Sequence, residues 1–120
     1  MDFYCNYDIT GFTHDLGLTI EEVSKFYAEL ISEINSALLE LKFLMTKKDL
    51  VKIQKIIHNI KGVSGNYRIT DIYRETSKIN DALKKNNYTS LEKDLNHLFD
   101  ISDMAIKEIK KFFKQRSISI

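Results

Sequence analysis

The chain has 120 residues, no proline and a formal net charge of +1 at pH 7, which is sufficient for one domain with one core. A charge this close to zero argues against electrostatic binding of nucleic acid or of an anionic membrane. The single cysteine, Cys5, cannot form an internal disulfide, and no apolar run reaches the roughly 18 residues that span a bilayer. We therefore predict a soluble, cytoplasmic, monomeric protein. Residues 1–120 form one domain in this prediction, with loose ordering at about 1–7 and 117–120.

The first predicted elements are a short helix and a long one. The short helix is expected over residues 9–16, and Gly17 is placed to end it. The segment Thr19-Ile20-Glu21-Glu22 has the pattern of a capping box, in which the threonine hydroxyl and the glutamate carboxylate bind backbone N–H groups reciprocally. The long helix that it opens keeps apolar residues at helical spacing as far as Met45, with Phe26 on the inward face.

Two more helices are predicted in the middle of the chain. Residues 50–66 carry apolar side chains at three- and four-residue spacing, which is typical of one face of a helix. A further helix is expected over 71–85, with Thr70 as its N-cap and Tyr73 on its inward face. Asn86-Asn87 then marks a turn.

The last predicted helix opens with a second capping-box pattern, Thr89-Ser90-Leu91-Glu92. Its inward stripe includes Met104 and reaches Phe113. Four amphipathic helices joined by short connections favour an all-α fold. We predict an antiparallel up-down four-helix bundle with a short additional N-terminal helix.

One histidine of the predicted 50–66 helix lies on the face opposite its apolar residues. At about 100° per residue, His58 points roughly 160° away from the centre of the apolar face. Lys61 and Gly62 lie one turn further on, on the same side, and Gly65 follows. Each glycine costs a helix about 1 kcal/mol relative to alanine. We interpret this cost as a sign that access to the His58 ring matters, while an ordinary surface histidine remains the alternative.

This pattern suits a phosphoryl carrier. Neutral imidazole is a good nucleophile near neutral pH and can carry a phosphoryl group as a phosphoramidate. Lys61 can offset the charge of phosphate oxygens, and Gly62 lets a partner approach closely. Nucleotide-binding glycine motifs are absent from the sequence, so a self-sufficient kinase has no support. The other histidines, His14 and His97, lack partners at the spacing of zinc sites, and we predict no metal site.

The motif His58-x-x-Lys61-Gly62, followed by small residues, resembles the signature of histidine phosphotransfer (HPt) domains in two-component phosphorelays. The segment Asp15-Leu16-Gly17-Leu18 and Asn66 also look like that family, and helix order and length are similar over nearly the whole chain. The chain departs from the family at Arg68-Ile69, where members often carry glycine and a small residue.

The resemblance implies a carrier rather than an enzyme with its own turnover. His58 would take a phosphoryl group from an aspartate of a response-regulator receiver domain and pass it to another, in pathways fed by a histidine kinase or hybrid kinase. The receiver would bring Mg²⁺, so no cofactor is expected on this chain. The partner surface would comprise His58, Lys61, Gly62, Val51, Gln54, Lys55 and Gly65.

The resemblance also suggests a helper residue on the 71–85 helix, with Asn80 or Lys84 as candidates for a polar contact near His58. Two alternatives to a free-standing carrier stay open. The chain can be an HPt-like domain excised from a hybrid or chemotaxis-type histidine kinase. It can also be a non-catalytic helical adaptor in which His58 has no chemical role.

Overall fold

The computed structural model describes residues 5–120. The described chain contains five α-helices and no strand, so the predicted all-helical class is confirmed. The helices are α1 (Ile9–Leu16), α2 (Ile20–Lys47), α3 (Leu50–Asn66), α4 (Thr70–Lys84) and α5 (Leu91–Lys114). None of them is both long enough and apolar enough to pass through a bilayer.

The start of the helical region follows the predicted caps. Gly17 adopts φ 67°, in the left-handed region, and ends α1. The Thr19 hydroxyl accepts from the backbone N–H of Glu22, and the Glu22 carboxylate accepts from the backbone N–H of Thr19, both at 3.1 Å. This capping box opens α2, which continues to Lys47, two residues beyond the predicted end at Met45.

Two predicted caps are wrong. Thr70 is the first residue of α4, whose N-cap is Ile69, and no side chain caps that end. The second capping box does not form either: Ser90 is the N-cap of α5, with φ −106° and ψ 10°, and it makes no side-chain cap hydrogen bond. The Thr89 N–H donates instead to the Asn87 side chain at 3.2 Å, because a side-chain oxygen in a turn competes for nearby backbone donors.

The long helices bury their apolar stripes in one core. α2 packs on α3 and α5, and α4 packs on the same two helices, while α1 packs on α2. Rings from different segments meet in this core, with Tyr27 5.5 Å from Phe113 and 5.3 Å from Tyr67 between ring centroids. The packed molecule measures 43 × 25 × 23 Å.

Three residues predicted on buried faces are exposed. Phe26 is 43% exposed, Tyr73 44% and Met104 69%. A buried helical stripe covers a little over about 100° of the helix surface, and side chains at its edges remain in solvent. The core beside Phe26 and Tyr73 is filled by their neighbours in the chain, Tyr27 and Ile72, which are fully buried.

The two ends of the described chain make specific contacts. Residues 1–4 lie outside the described part, but residues 5–7, predicted to be loose, are attached to the bundle. The Tyr7 hydroxyl donates to Asp71 at 2.9 Å, and the Asn6 N–H donates to Glu108 at 2.8 Å. Residues 117–120, predicted to be loosely ordered, lie beyond the end of α5, where Ile118 and Ile120 pack partly buried against the core.

Candidate functional site: a groove beside His58

The helix that carries His58 is fixed from its buried side. The Asp49 carboxylate caps α3 by accepting from the Lys52 N–H at 3.2 Å. Ile53, Ile57 and Ile60 are almost completely buried. Because these residues recur at three- and four-residue spacing, the opposite face of α3 must lie outward, and His58 is exposed there.

His58 lines an open groove of about 560 Å³. The groove is formed by the C-terminal half of α3, the turn that follows it and the first turn of α4. Its lining includes two cationic side chains and, within the described part of the chain, no carboxylate. The lining residues are His58, Lys61, Gly62, Ser64, Gly65, Asn66, Arg68, Thr70 and Tyr73.

Lys61 is half-buried, and its ammonium lies 6.0 Å from the centroid of the Tyr73 ring. No carboxylate of the described chain forms an ion pair with Lys61, whereas the Arg68 guanidinium is bound by Asp8 at 3.1 Å and by Asp15. Lys61 is therefore the groove cation that retains most of its positive charge for an anionic group.

The two glycines of the groove differ in their surroundings. A Cβ atom built on Gly62 meets no heavy atom within 4 Å, so the fold itself does not require glycine there. A Cβ atom on Gly65 would lie 3.0 Å from Cδ2 and 3.1 Å from Cε2 of Tyr73. Glycine at position 65 thus allows the tyrosine ring to lie directly on α3.

Three predicted surface residues lie on α3 on the N-terminal side of His58 and do not line the groove. Val51 is 67% exposed, Lys55 is exposed and Gln54 is half-buried. They extend the outer face of α3 from His58 towards the start of the helix. An exposed valine next to a groove is compatible with a docking surface, although single exposed apolar residues are common.

The two predicted helper residues are not part of the groove. Asn80 is 1% exposed, and neither its amide nitrogen nor its amide oxygen has a hydrogen-bond partner within the described chain. Lys84 is exposed at the last position of α4. The structure gives no contact of either residue with His58.

The chain outside the groove offers few other reactive groups. Burial raises the pKa of the Cys5 thiol, which keeps it protonated at neutral pH and weakens it as a nucleophile. No group of three His, Cys, Asp or Glu side chains in residues 5–120 is arranged to hold a metal ion.

Sequence reasoning missed five groove residues, Tyr73 and Arg68 among them; the others are Ser64, Asn66 and Thr70. Helical spacing places Tyr73 near the buried stripe, and the space left by Gly65 is visible only once α4 is packed on α3. Arg68 follows the helix in a turn, where apolar spacing gives no information on side-chain direction. The glycine spacing within α3 is the only sequence signal related to either Tyr73 or Arg68.

Comparisons with models of known protein families, with curated proteins and with solved structures find no match for this chain. Its function is therefore inferred from the groove and from the His58-x-x-Lys61-Gly62 pattern.

Proposed function

We propose that the chain is a histidine phosphotransfer protein, with His58 as the phosphoryl acceptor. The observation that carries the proposal is an exposed imidazole in a groove whose described lining has no carboxylate and whose Lys61 ammonium has no ion-pair partner in the described chain, whereas Arg68 is bound by Asp8 and Asp15. A phosphoryl group is strongly anionic, so this lining favours it over a cationic or metal ligand.

The proposed reaction moves one phosphoryl group without net hydrolysis. A neutral imidazole nitrogen of His58 attacks phosphorus of an aspartyl phosphate on a receiver domain. The nitrogen–phosphorus bond forms as the bond from phosphorus to the aspartate oxygen breaks, and the carboxylate leaves. Transfer to a second receiver reverses these steps, which makes the chain a carrier without its own turnover.

Lys61 and Gly62 have separate roles in this proposal. Lys61 lies one helical turn from His58 and offsets the charge of the phosphoryl oxygens during transfer. Gly62 has open space above it, so a partner can approach the imidazole closely. The receiver supplies Mg²⁺, and this chain supplies no cofactor.

The partner surface is proposed to be the outer face of α3. It joins the groove at His58 to the exposed Val51 near the start of the helix. A receiver domain would cover this face, and a histidine kinase or hybrid kinase would feed the pathway. The proposed surface consists of Val51, Gln54, Lys55, His58, Lys61, Gly62 and Gly65.

We further propose that α2 to α5 form an antiparallel up-down bundle. Short connections support this order, since residues 48–49 join α2 to α3 and residues 67–69 join α3 to α4. Two side-chain contacts support it for α4 and α5, namely the ion pair of Lys78 with Asp94 and the contact of Glu75 with His97. Lys78 lies 3.3 Å from Asp94, and Glu75, one turn earlier, lies 4.0 Å from His97, which is later in α5.

Side-chain nuclear Overhauser contacts test this helix order. An antiparallel pair gives contacts of residue 78 with 94 and of residue 75 with 97. Contacts of residue 75 with 94 and of residue 78 with 97 would instead indicate parallel helices and contradict the proposed bundle.

The function is tested by incubating the chain with a panel of purified receiver domains charged with acetyl phosphate. We expect acid-labile phosphate on the wild-type chain and none on His58→Gln. The exposed histidines His14 and His97 provide matched controls, and their glutamine variants should accept phosphate normally. Since His58 is exposed, His58→Gln should change the free energy of unfolding by no more than about 0.5 kcal/mol.

Other outcomes would favour the alternatives. Phosphate that survives the loss of His58 would place the acceptor elsewhere. No transfer from any receiver would favour a helical adaptor. Phosphorylation only by an ATP-binding kinase domain would favour a module excised from a hybrid or chemotaxis-type kinase.

A further inference from the structure

Tyr73 presents an aromatic ring to solvent within the groove that contains His58. Its side chain is 44% exposed in the first turn of α4. Because Tyr73 is not one of the buried core residues, its contacts outside the core indicate its role. Those contacts lie on α3, with Gly65 and Lys61.

The contact with Gly65 shows how closely the ring approaches α3. The position of a Cβ atom at residue 65 lies 3.0 Å from the ring, which is too close for most side chains without a shift. The same construction at Gly62 finds open space. Of these two helix-weakening glycines, only Gly65 has a neighbour that an added Cβ atom would push aside, and that neighbour is Tyr73.

The contact with Lys61 has a consequence for charge. The ammonium lies 6.0 Å from the ring centroid, at the outer limit of a cation–π interaction. A ring attracts a cation through its quadrupole and leaves the net charge in place, whereas a carboxylate partner would neutralise it. Lys61 also lies three residues after His58, on the same side of α3.

We propose that Tyr73 is a positioning residue that holds the Lys61 ammonium in the groove that His58 lines, while leaving its charge available to the phosphoryl group. This inference rests on the phosphoryl-carrier function proposed above. In it, Gly65 acts indirectly, by giving the tyrosine ring its place on α3.

The first test measures the position of Lys61 without any phosphotransfer. A ring over the lysine shifts the NMR signals of its terminal methylene upfield. We expect this shift in the wild-type chain and in Tyr73→Phe, and its loss in Tyr73→Leu. Tyr88→Leu is the matched control, because Tyr88 is also 43% exposed but does not line this groove. A Lys61 signal that is the same in Tyr73→Leu and wild type would overturn the proposal.

The second test measures transfer from a charged receiver by rapid quench. Tyr73→Leu should slow transfer by about two- to fivefold, the equivalent of an exposed cation–π contact, and Tyr73→Phe should restore the rate. In a Lys61→Ala background, which is itself slower, Tyr73→Leu should have no further effect. Equal effects of Tyr73→Leu in both backgrounds would show that Tyr73 does not act through Lys61.

Two further results separate the possible failures. If Tyr73→Leu does not fold, Tyr73→Met also removes the ring and favours helix, and an unchanged Lys61 signal in that variant contradicts the proposal. If wild-type His58 accepts no phosphate, the carrier function fails, while the NMR shift still decides whether Tyr73 positions Lys61.

Discussion

Arg68 has φ 60°, in the left-handed region that glycine adopts most easily. Its side chain is held on several sides, since the guanidinium binds Asp8 and Asp15 and lies 5.7 Å from the centroid of the Phe12 ring. These contacts attach α1 to the turn between α3 and α4. The turn thus places an arginine in a backbone conformation that suits glycine, and α1 with its N-cap Asp8 provides the partners of the side chain.

This ion pair predicts a pH dependence of stability. The hydrogen bond from Arg68 holds the pKa of the Asp15 carboxyl below its ordinary value. A carboxyl whose pKa is lower in the folded state stabilises the fold above its unfolded pKa, and this contribution is lost as the pH falls through the folded pKa. Arg68→Gly removes the ion pair and the unfavourable φ together. We therefore expect wild type to lose stability relative to this variant as the pH falls below the ordinary Asp pKa of about 3.9 and on through the lower folded-state pKa.

Urea unfolding at a series of pH values measures this difference. Asp15→Asn is the control, since it removes the titrating group and leaves the backbone of residue 68 unchanged. It should therefore reduce the pH dependence without removing the strain at Arg68. A stability difference between wild type and Arg68→Gly that does not change with pH would show that the ion pair contributes nothing.

The exposure of single residues is only partly predictable from sequence. The outward position of His58 follows from the regular apolar spacing on the other side of α3, which fixes the helix orientation. Tyr73 is different, because its spacing fits a buried face, whereas its ring lies partly exposed in the space that Gly65 leaves open on α3. That choice depends on a contact between two helices, which a pattern within one helix does not contain.

At the scale of the element, α3 contains two glycines that should respond differently to alanine. Gly62→Ala should stabilise the chain by about 0.5–1 kcal/mol, because alanine favours helix and restricts the unfolded chain. Gly65→Ala should increase the free energy of unfolding by less than this, or decrease it, since its Cβ atom would lie 3.0 Å from the Tyr73 ring.

Thermal and urea unfolding of the two alanine variants measures this contrast. The double variant Gly65→Ala/Tyr73→Leu, compared with Tyr73→Leu alone, provides the control. Once the ring is removed, alanine at residue 65 should increase the free energy of unfolding as it does at residue 62. Equal stabilisation by the two single substitutions would mean that the ring moves aside at no cost.

Helix bounds are predicted best where a local signal stops the helix. The bounds of α1 and α3 agree with the prediction, and Gly17 and the Thr19 capping box have their expected roles. The start of α5 is predicted less well. The Asn87 side chain takes the Thr89 N–H there, and the sequence pattern does not show which of two competing local hydrogen bonds forms.

At the scale of the molecule, the amphipathic pattern predicts an all-helical core, and the described chain has one. The groove beside His58 is harder to predict. It depends on the direction that α4 takes after the turn at residues 67–69, and on the ion pairs that join Arg68 to Asp8 and Asp15. These are contacts between elements, so the sequence predicts the acceptor and its helix but not the complete lining of the groove.

The proposed partner surface leads to a prediction about docking. Gly62 has open space above it, so the side chain of Gly62→Gln should extend into solvent and leave the fold intact. Glutamine is also a better helix former than glycine. The variant should therefore melt cooperatively at or above the wild-type temperature. A receiver domain, however, would meet the new side chain beside His58, and we expect binding and phosphotransfer to be lost together.

Calorimetric melting, receiver binding and rapid-quench transfer measure these effects on one protein sample. Met104→Gln is the matched control, since Met104 is 69% exposed on α5 and α5 does not pack on α3 within the described chain. This control should retain receiver binding. A destabilised Gly62→Gln would contradict the open space at residue 62. A stable variant with normal transfer would mean that the glycine is incidental, and that the receiver docks on a face of the bundle other than the outer face of α3.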